Sequence, residues 1–329
     1  MRDEVAHSAE HLILHPSALI PYDGGAMLKR PRPLQPSSHV AVLAASSPSE
    51  MPRIEEGVRH LEEYGLRVTL AENIAHRHRG YLAGTDDERA EILNHYLRSA
   101  EYDGYLFARG GYGVMRILDR IDYAAIADNP RPIIGFSDVT ALHQAMAVRA
   151  GVAGLHGPMV NLDFHDRLSP EVERWFWAVL GGEAPVRWPF QRSQVLLEGE
   201  AEGELFGGCL SLTTALAGTP YDFSIDGGIW FFEDVDEPIY RIDRMLTHLR
   251  LSGRLQGIRG VVIGKLKGCG NESDLHAFLR EFFEPFAIPV VLDFPFGHHG
   301  DNLLMPIGAP VRLSTRDLTF TVTHPAVER

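Results

Sequence analysis

Short apolar runs alternate with segments of helical periodicity through the first half of the chain. Apolar runs predict strands at residues 40–45, 105–108 and 132–136, and the segment 66–70 predicts another strand between the first two of them. Helical spacing between them predicts helices at residues 52–64 and 86–100. Such alternation is typical of an α/β fold with a doubly wound, mostly parallel sheet, in which ligands bind at the carboxyl ends of the strands.

The pattern changes after residue 168. A helix is predicted at 170–180, followed by a crossover rich in Pro and Gly, and strand-like runs then dominate, with one further helix at 239–251. We therefore expect a smaller, β-rich C-terminal domain. The predicted organisation is an N-terminal extension at 1–37, an α/β domain at 38–170, a crossover at 171–202 and the C-terminal domain at 203–329.

Composition places the 329 residues among globular proteins, with 45% apolar and 23% charged residues. The net charge of −13 disfavours a nucleic-acid partner, since binding to phosphates needs clustered Lys and Arg. No apolar stretch approaches the roughly 18 residues of a membrane span, and no secretory segment is recognisable at the N-terminus. With only two cysteines, Cys209 and Cys269, we expect a cytoplasmic protein without a membrane partner.

A candidate nucleophile follows the fourth predicted strand. Ser137 lies in the segment Gly-Phe-Ser-Asp at 135–138, directly before a predicted helix. A serine at a sharp strand-to-helix turn is exposed near the positive end of the helix dipole. The second glycine of the G-x-S-x-G pattern is replaced by Val139, so a simple helix N-cap is the alternative interpretation.

The third predicted strand ends in Arg109-Gly110-Gly111-Tyr112-Gly113. Consecutive glycines can turn backbone N–H groups into a cleft, as an oxyanion site or a phosphate site requires. The turn does not continue as the dinucleotide pattern G-x-G-x-x-G, because Arg116 occupies the last position. A purely structural tight turn remains the alternative.

Two C-terminal segments carry further candidate chemistry. Glu233 follows the apolar run 229–232, although clustered acids also occur in solvated loops. His298 and His299 lie in a loop rich in Gly and Asn that could hold a catalytic histidine. We expect no metal there, because no ligand spacing such as H-E-x-x-H accompanies either histidine.

Seven sequence blocks, in order along residues 39–325, together resemble the LD-carboxypeptidases of the serine peptidase type. This family includes muramoyl-tetrapeptide carboxypeptidases and microcin C immunity peptidases. The blocks are 83–86, 109–113, 135–142, 207–212, 232–235, 240–246 and 296–298. One departure is Cys209, at a position where asparagine is expected.

The resemblance implies a Ser–Glu–His triad formed by Ser137, Glu233 and His298, with the nucleophile in the α/β domain and its partners in the C-terminal domain. His298 would move the proton and Glu233 would orient the imidazole. The N–H groups of Gly111 and Asp138 would form the oxyanion hole. No cofactor is implied, and the resemblance suggests a homodimer.

Three further residues are candidates for substrate binding: Arg109, Gly110 and His156. Arg109 could hold a terminal carboxylate bidentately, or could pair with an acidic residue of the protein. His156, at another predicted strand end, could line the cleft or be a core histidine. His143, six residues after Ser137, is expected to project away from the serine and to serve packing.

The family's main activity removes the terminal D-alanine of the cytoplasmic murein tetrapeptide during cell-wall recycling. The immunity peptidases instead cleave an aminoacyl-nucleotide amide, which favours an aromatic stacking surface. Residues of the crossover could supply such a surface or be buried packing, namely Trp175, Trp177, Trp188 and Phe190. A third hypothesis is a protein without catalytic activity that binds a small anion or peptide at helix N-termini.

Overall fold

The computed structural model describes residues 27–328, which form two β-sheets with helices packed around them. The strands of the described residues are, in chain order, β1 (His39–Leu43), β2 (Arg67–Leu70), β3 (Gly104–Phe107), β4 (Ile133–Gly135), β5 (Leu155–His156), β6 (Val186–Pro189), β7 (Val195–Leu197), β8 (Glu200–Cys209), β9 (Ile229–Val235), β10 (Gly260–Lys267), β11 (Val290–Phe294), β12 (Met305–Pro306), β13 (Pro310–Ser314) and β14 (Thr319–Val322). The α-helices of the same residues are α1 (Met51–Glu63), α2 (Asp86–Arg98), α3 (Tyr123–Asp128), α4 (Thr140–Ala150), α5 (Pro170–Gly181), α6 (Leu210–Leu216), α7 (Ile239–Leu251) and α8 (Glu272–Phe283).

The first sheet has the strand order β12-β5-β4-β3-β1-β2. Its five N-terminal strands run parallel, as the apolar runs predicted, and they are fully buried at β1, β3 and β4. Continuous apolar strands of this kind belong to parallel sheets covered on both faces by helices. The predicted α/β fold class is confirmed, and the strand ends that carry Gly110 and Ser137 are neighbours because β3 pairs with β4.

The second sheet has the order β6-β14-β13-β8-β9-β10-β11-β7. Strands β8 to β11 are parallel, whereas the pairs at both sides of them are antiparallel. This sheet is the β-rich part that the sequence predicted. Two strands come from the segment 171–202 and lie at the two edges of the sheet, β6 and β7.

A two-residue strand joins the two halves. Strand β12 leaves the C-terminal part of the chain and pairs antiparallel with β5, Met305 opposite His156. The chain just before β12 is fixed as well, because the indole N–H of Trp175 donates a 2.8 Å hydrogen bond to the carbonyl of Leu304. The segment that follows His298 is therefore anchored on the first sheet.

Helix α4 begins directly behind Ser137 and is buried on nearly every side. It lies between the two sheets, and Gln144 on it donates a 2.8 Å hydrogen bond to the hydroxyl of Thr213 on α6. It ends at Gly151, whose left-handed backbone (φ +63°) terminates the helix without the strain that another residue would carry.

The predicted N-terminal extension, residues 1–37, lies outside the described residues as far as residue 26. Residues 27–37 run along the α/β part, where Leu28 and Leu34 are buried and the N–H of Lys29 donates to the carbonyl of Gly151. In the part of the chain that the structure describes, no helix has both the length and the apolar character needed to cross a bilayer.

Candidate active site

Ser137 lies at the carboxyl end of β4, in the single turn that leads into α4. Its backbone is left-handed (φ +59°), a conformation that a residue with a side chain adopts only when its surroundings enforce it. Gly135 lets the turn close, since a Cβ there would lie 3.0 Å from Val139 Cγ2 and 3.2 Å from Phe107 Cβ. The turn has the strained geometry of a nucleophile elbow, although Val139 replaces the second glycine.

The structure brings Ser137 together with His298 and Glu233. His298 Nε2 lies 3.2 Å from Ser137 Oγ, and His298 Nδ1 lies 2.6 Å from Glu233 Oε2. The same carboxylate oxygen accepts the backbone N–H of His298 at 3.1 Å. Because both histidine nitrogens have an oxygen partner on opposite sides, the ring is held in line between the carboxylate and the hydroxyl.

Glu233 lies near the end of β9 and has no exposed surface. Two glycines make room for it. A Cβ on Gly297 would lie 2.3 Å from Glu233 Cγ, and a Cβ on Gly264 would lie 2.9 Å from Glu233 Cβ. Gly297 also has a left-handed backbone (φ +87°), so this position requires glycine for two reasons.

The environment of His298 favours its charged form. Burial by itself lowers the pKa of His298, but the hydrogen bond and charge of Glu233, together with Asp234 and Asp163, raise the pKa above its usual value. A carboxylate that stabilises the imidazolium is what a general base needs when it takes a proton from a hydroxyl. The rings of Phe136 and His298 pack in a T-shaped arrangement, with their centroids 4.9 Å apart.

The glycine turn after β3 lies directly against the serine. A Cβ on Gly110 would lie 2.8 Å from Ser137 Cβ and 2.9 Å from its Oγ, so the turn can approach only without a side chain. Gly111 has a left-handed backbone (φ +110°). Within residues 27–328, the N–H groups of Gly111 and Asp138 donate to no other group of the protein. Two free donors flanking a hydroxyl can bind an oxyanion.

Two buried polar residues support the histidine loop, and neither was singled out from the sequence. Asn302 has no exposed surface, and its Oδ1 accepts the N–H of Gly297 at 2.9 Å. Its amide nitrogen is buried without a hydrogen-bond partner among the described residues, and Asn302 is one of the groups that lower the pKa of Asp163, which burial raises to about 7. The only sequence signal for Asn302 was its place in the loop rich in Gly, His and Asn.

Arg109 is partly exposed beside the glycine turn. Its guanidinium donates one long hydrogen bond, 3.3 Å, to the carbonyl of Pro48, and among the described residues it forms no ion pair. An arginine without an acidic partner at the edge of the site is available for a carboxylate of a ligand.

Two histidines of the α/β part lie behind the site. His156 is fully buried among Phe136, Phe231 and Phe296, and neither ring nitrogen has a hydrogen-bond partner among the described residues. Burial lowers its pKa well below the usual value. His143 Nε2 donates a hydrogen bond to the Ile133 carbonyl, 3.1 Å away, and this histidine belongs to the packing between the sheets.

One group in the described part of the chain has side chains close enough to share a cation. Ligand atoms of Glu272, His276 and Asp293 lie within 4.8 Å of one another. Lys265 and Lys267 line the same cavity and oppose a positive ion there. His299 is not part of this group, and its Nδ1 accepts the N–H of Asp301 at 3.2 Å.

The aromatic residues of the crossover lie outside the Ser137 site. Trp175 and Phe190 are buried, and a surface groove lined by Trp177 and Trp188 shares no residue with the site. Cys209 is buried opposite Glu233 in the β8–β9 register, where its thiol approaches the hydroxyl of Ser211 at 3.2 Å. Both cysteines of the chain are free.

Both halves of the chain match the two domains of one known family. Residues 40–157 match the LD-carboxypeptidase N-terminal domain, and residues 202–313 match the LD-carboxypeptidase C-terminal domain. These matches cover the glycine turn, Ser137, Glu233 and His298.

Individual relatives span nearly the whole chain. A probable murein peptide carboxypeptidase of Bacillus subtilis is 34% identical, covering 89% of this chain and 94% of its own. The murein tetrapeptide carboxypeptidase of Pseudomonas aeruginosa is 30% identical, covering 82% and 91%. The solved structure of MccF in complex with glutamyl sulfamoyl guanosine has the same fold, with a TM-score of 0.82 at 22% identity over 92% of this chain and all of that one. The chain therefore belongs to the LD-carboxypeptidase family, the serine-type peptidases that it resembles in sequence.

Proposed function

We propose that this protein is a serine carboxypeptidase that removes the terminal D-alanine from a murein tetrapeptide. The observation that carries the proposal is the alignment of Glu233, His298 and Ser137, with distances of 2.6 and 3.2 Å between successive partners. Two relatives with 34% and 30% identity are named for murein peptides, which supports this substrate class.

Catalysis begins when Ser137 Oγ attacks the carbonyl carbon of the bond between the L-centre of the diamino acid and D-alanine. His298 Nε2 takes the hydroxyl proton as the Oγ–C bond forms, and Glu233 stabilises the resulting imidazolium. The carbonyl oxygen becomes an oxyanion, which the N–H groups of Gly111 and Asp138 bind.

The tetrahedral intermediate collapses when the bond to the D-alanine nitrogen breaks. His298 returns the proton to this nitrogen, so that D-alanine leaves as a neutral amine and Ser137 keeps the acyl group. A water molecule then gives its proton to His298 and its oxygen to the acyl carbon. The bond between Ser137 Oγ and the acyl carbon then breaks, Ser137 takes the proton from His298, and the tripeptide leaves with a new carboxyl group that loses its remaining proton to solvent.

Recognition of the free end falls to Arg109 and Gly110 in our proposal. A carboxypeptidase must bind the terminal carboxylate, and the Arg109 guanidinium has donors free for a bidentate contact. Gly110 leaves the space next to Ser137 that the substrate backbone needs. His156 does not contact the substrate in this proposal; it packs against the rings of Phe136 and Phe296 and keeps them in place beside the site.

A second candidate is cleavage of an aminoacyl-nucleotide amide by the same triad. An exposed aromatic pair favours it, because Tyr81 and Tyr112 have ring centroids 6.1 Å apart and are 43% and 47% exposed beside the glycine turn. Such rings offer a stacking surface for a base.

The test is mass-spectrometric cleavage of three compounds by the wild type and by Ser137→Ala. They are a murein tetrapeptide ending in D-alanine, its all-L counterpart and an aminoacyl-sulfamoyl nucleotide. Release of D-alanine by the wild type alone supports the proposal. Cleavage of only the nucleotide supports the second candidate, and binding without cleavage in both proteins supports a non-catalytic binding protein.

We further propose that the protein works in the cytoplasm as a homodimer, without a nucleic-acid or membrane partner. Two buried free thiols fit a reducing compartment. Light scattering after size-exclusion chromatography tests the assembly, since a homodimer has twice the 36.6 kDa mass of the chain.

A further inference from the structure

We propose that the buried side chain of Asp138 positions the oxyanion hole by tying its two walls together. The inference rests on the proposed function, in which the backbone N–H of Asp138 and that of Gly111 bind the oxyanion. The side chain has a separate task, because it points away from the serine into a polar network beneath the site.

The first link joins the serine turn to the end of the glycine turn. Asp138 Oδ2 accepts the backbone N–H of Val114 at 2.9 Å, and Val114 directly follows the segment 110–113. One residue thus carries a proposed oxyanion donor on its backbone and fixes the segment of the other donor with its side chain.

The second link fixes the same carboxylate to the end of β1. Asp138 Oδ2 also accepts the hydroxyl of Ser46 at 2.7 Å. The next residue, Ser47, holds the glycine turn from the other side, since its N–H donates to the Gly110 carbonyl at 3.3 Å and its Oγ accepts the Tyr112 N–H at 3.4 Å. Three strand ends, those of β1, β3 and β4, therefore meet at one carboxylate.

A fully buried arginine completes the network. Arg89 on α2 donates a 2.9 Å hydrogen bond to the Gly113 carbonyl and another to the carbonyl of Ala45. A Cβ on Gly113 would lie 2.8 Å from Arg89 Nη1, so the glycine turn and the guanidinium fit closely. Burial raises the pKa of Asp138, while the hydrogen bonds from Val114 and Ser46 and the charge of Arg89 act in the opposite direction. Its other oxygen, Oδ1, is buried without a hydrogen-bond partner among the described residues.

Such a network has a kinetic consequence that general stabilisation does not have. Burying a carboxylate is unfavourable unless hydrogen bonds compensate for the lost water. Here those hydrogen bonds also fix the relative position of the N–H groups of Gly111 and Asp138. Donors aimed at the oxyanion act in the transition state more than on the bound substrate. Loosening them should lower kcat and leave KM nearly unchanged.

The experiment compares Ser46→Ala and Asp138→Ala with the wild type. Ser46→Ala removes one hydrogen bond and Asp138→Ala removes both. We expect kcat for D-alanine release to fall about 10-fold in Ser46→Ala and about 100-fold or more in Asp138→Ala. In both variants KM should stay within about twofold of the wild-type value. Asp138→Asn can keep both hydrogen bonds through its carbonyl oxygen, and should recover part of the rate lost in Asp138→Ala.

A second readout does not depend on the natural substrate. A fluorophosphonate reacts with an activated serine: the Ser137 Oγ–P bond forms, fluoride leaves, and the hydroxyl proton passes to His298. The phosphoryl oxygen occupies the oxyanion hole, so labelling of Ser137, followed by peptide mass spectrometry, should slow in the same order as kcat. If the wild type is labelled but cleaves no tetrapeptide, the proposed substrate fails and the positioning role of Asp138 is still tested.

The matched control is Asn94→Ala. Asn94 is also buried and also bridges two backbone groups, the carbonyl of Arg120 and the N–H of Asp122, but it lies away from the site. It should lower the melting temperature without changing kcat or labelling. Folded Ser46→Ala and Asp138→Ala proteins that react at the wild-type rate, or that raise KM alone, would overturn the inference; if Asp138→Ala does not fold, Ser46→Ala and Asp138→Asn decide it.

Discussion

His298 Nε2 lies 3.2 Å from Ser137 Oγ although 161 residues separate the two in the chain. The serine belongs to the turn after β4, and the histidine to the loop after β11 of the other sheet. A small displacement between the two halves would break this contact, and a misplacement of about 1 Å can cost about 100-fold in rate. We therefore expect the elements that hold the histidine loop to be as important for activity as the proposed triad.

Glu233→Gln should lower kcat about 10,000-fold, because the amide can no longer stabilise the imidazolium or fix the histidine tautomer. It should also change the pH profile. The Glu233 carboxylate raises the pKa of His298 against the effect of burial, so wild-type kcat/KM should fall as the pH drops through a value above 6.5. In the variant burial still lowers the pKa of His298 and the largest opposing group is gone, so the midpoint should move to lower pH.

Initial rates from about pH 5 to about pH 9 test this shift. Glu237→Gln is the control, since Glu237 is a nearby acid that pairs with Arg241 at 3.4 Å and does not contact His298. It removes the same charge and should leave the midpoint unchanged. Equal midpoints in Glu233→Gln and the wild type would contradict the proposed role of Glu233.

Gly110→Ala should abolish activity while the protein remains folded. The added Cβ would lie 2.8 Å from Ser137 Cβ and 2.9 Å from its Oγ, so the hydroxyl must move away from His298. Gly181→Ala is the matched substitution, because a Cβ there has no atom within 4 Å and the backbone is helical. Near-wild-type kcat in a folded Gly110→Ala protein would show that the glycine turn does not constrain the nucleophile.

Asn302→Ala should lower kcat about 10-fold to 100-fold, since the Gly297 N–H loses its buried acceptor and the histidine loop becomes less well placed. KM should change little, because Asn302 has no exposed surface for substrate contact. Asn271→Ala provides the comparison: it removes the N-cap of α8, which costs about 1 kcal/mol of stability, but lies outside the site. Equal kcat values in Asn302→Ala and Asn271→Ala would contradict the prediction and show that Asn302 contributes to stability only.

Asp163 should make the protein less stable as the pH rises from 3.8 towards 7. Burial raises the pKa of Asp163 from 3.8 to about 7, so the folded state holds a proton that the unfolded state has released. The stabilisation is complete below the unfolded pKa and is lost as the pH rises through the folded pKa. Asp163→Asn should remove this dependence in urea unfolding measured across that range.

Asp122→Asn tests the opposite sign. The pKa of Asp122 is lowered by its hydrogen bond to Arg98, so its contribution to stability is present above the unfolded pKa and is lost on acidification. Asp122→Asn should therefore weaken the pH dependence of the unfolding free energy below pH 3.8. The slope between pH 3.8 and 7, which we assign to Asp163, should stay the same. For Asp163 itself, the prediction is contradicted if the unfolding free energy of Asp163→Asn still falls between pH 3.8 and 7 as steeply as that of the wild type, because another group would then cause the fall.

The sequence predicted the regular elements because local periodicity reports them. Helix α7 begins and ends at the predicted residues, and the buried strands β1, β3 and β4 follow apolar runs of the sequence. Strand β12 could not be predicted, since two residues carry no period and its partner β5 lies about 150 residues earlier in the chain. Pairing of this kind depends on where the whole C-terminal part folds.

The candidate site divides in the same way. The turns of Ser137 and Gly110 have local sequence signals, whereas Glu233 stands among several acids and His298 beside a second histidine, so the resemblance was needed to choose them. The side-chain contacts of the supporting groups had no local signal. The hydrogen bond between Ser46 and Asp138 joins residues 92 positions apart in the chain, and neither segment by itself predicts this contact.

The most direct test of the triad is the rate of D-alanine release by Ser137→Ala, His298→Ala and the double variant. Residues that act as one unit are not additive, so each single variant should lose at least about 10,000-fold in kcat and the double variant should be no slower than the slower single one. Additive losses in the double variant, or a wild-type rate in either single variant, would contradict a mechanism in which His298 activates Ser137.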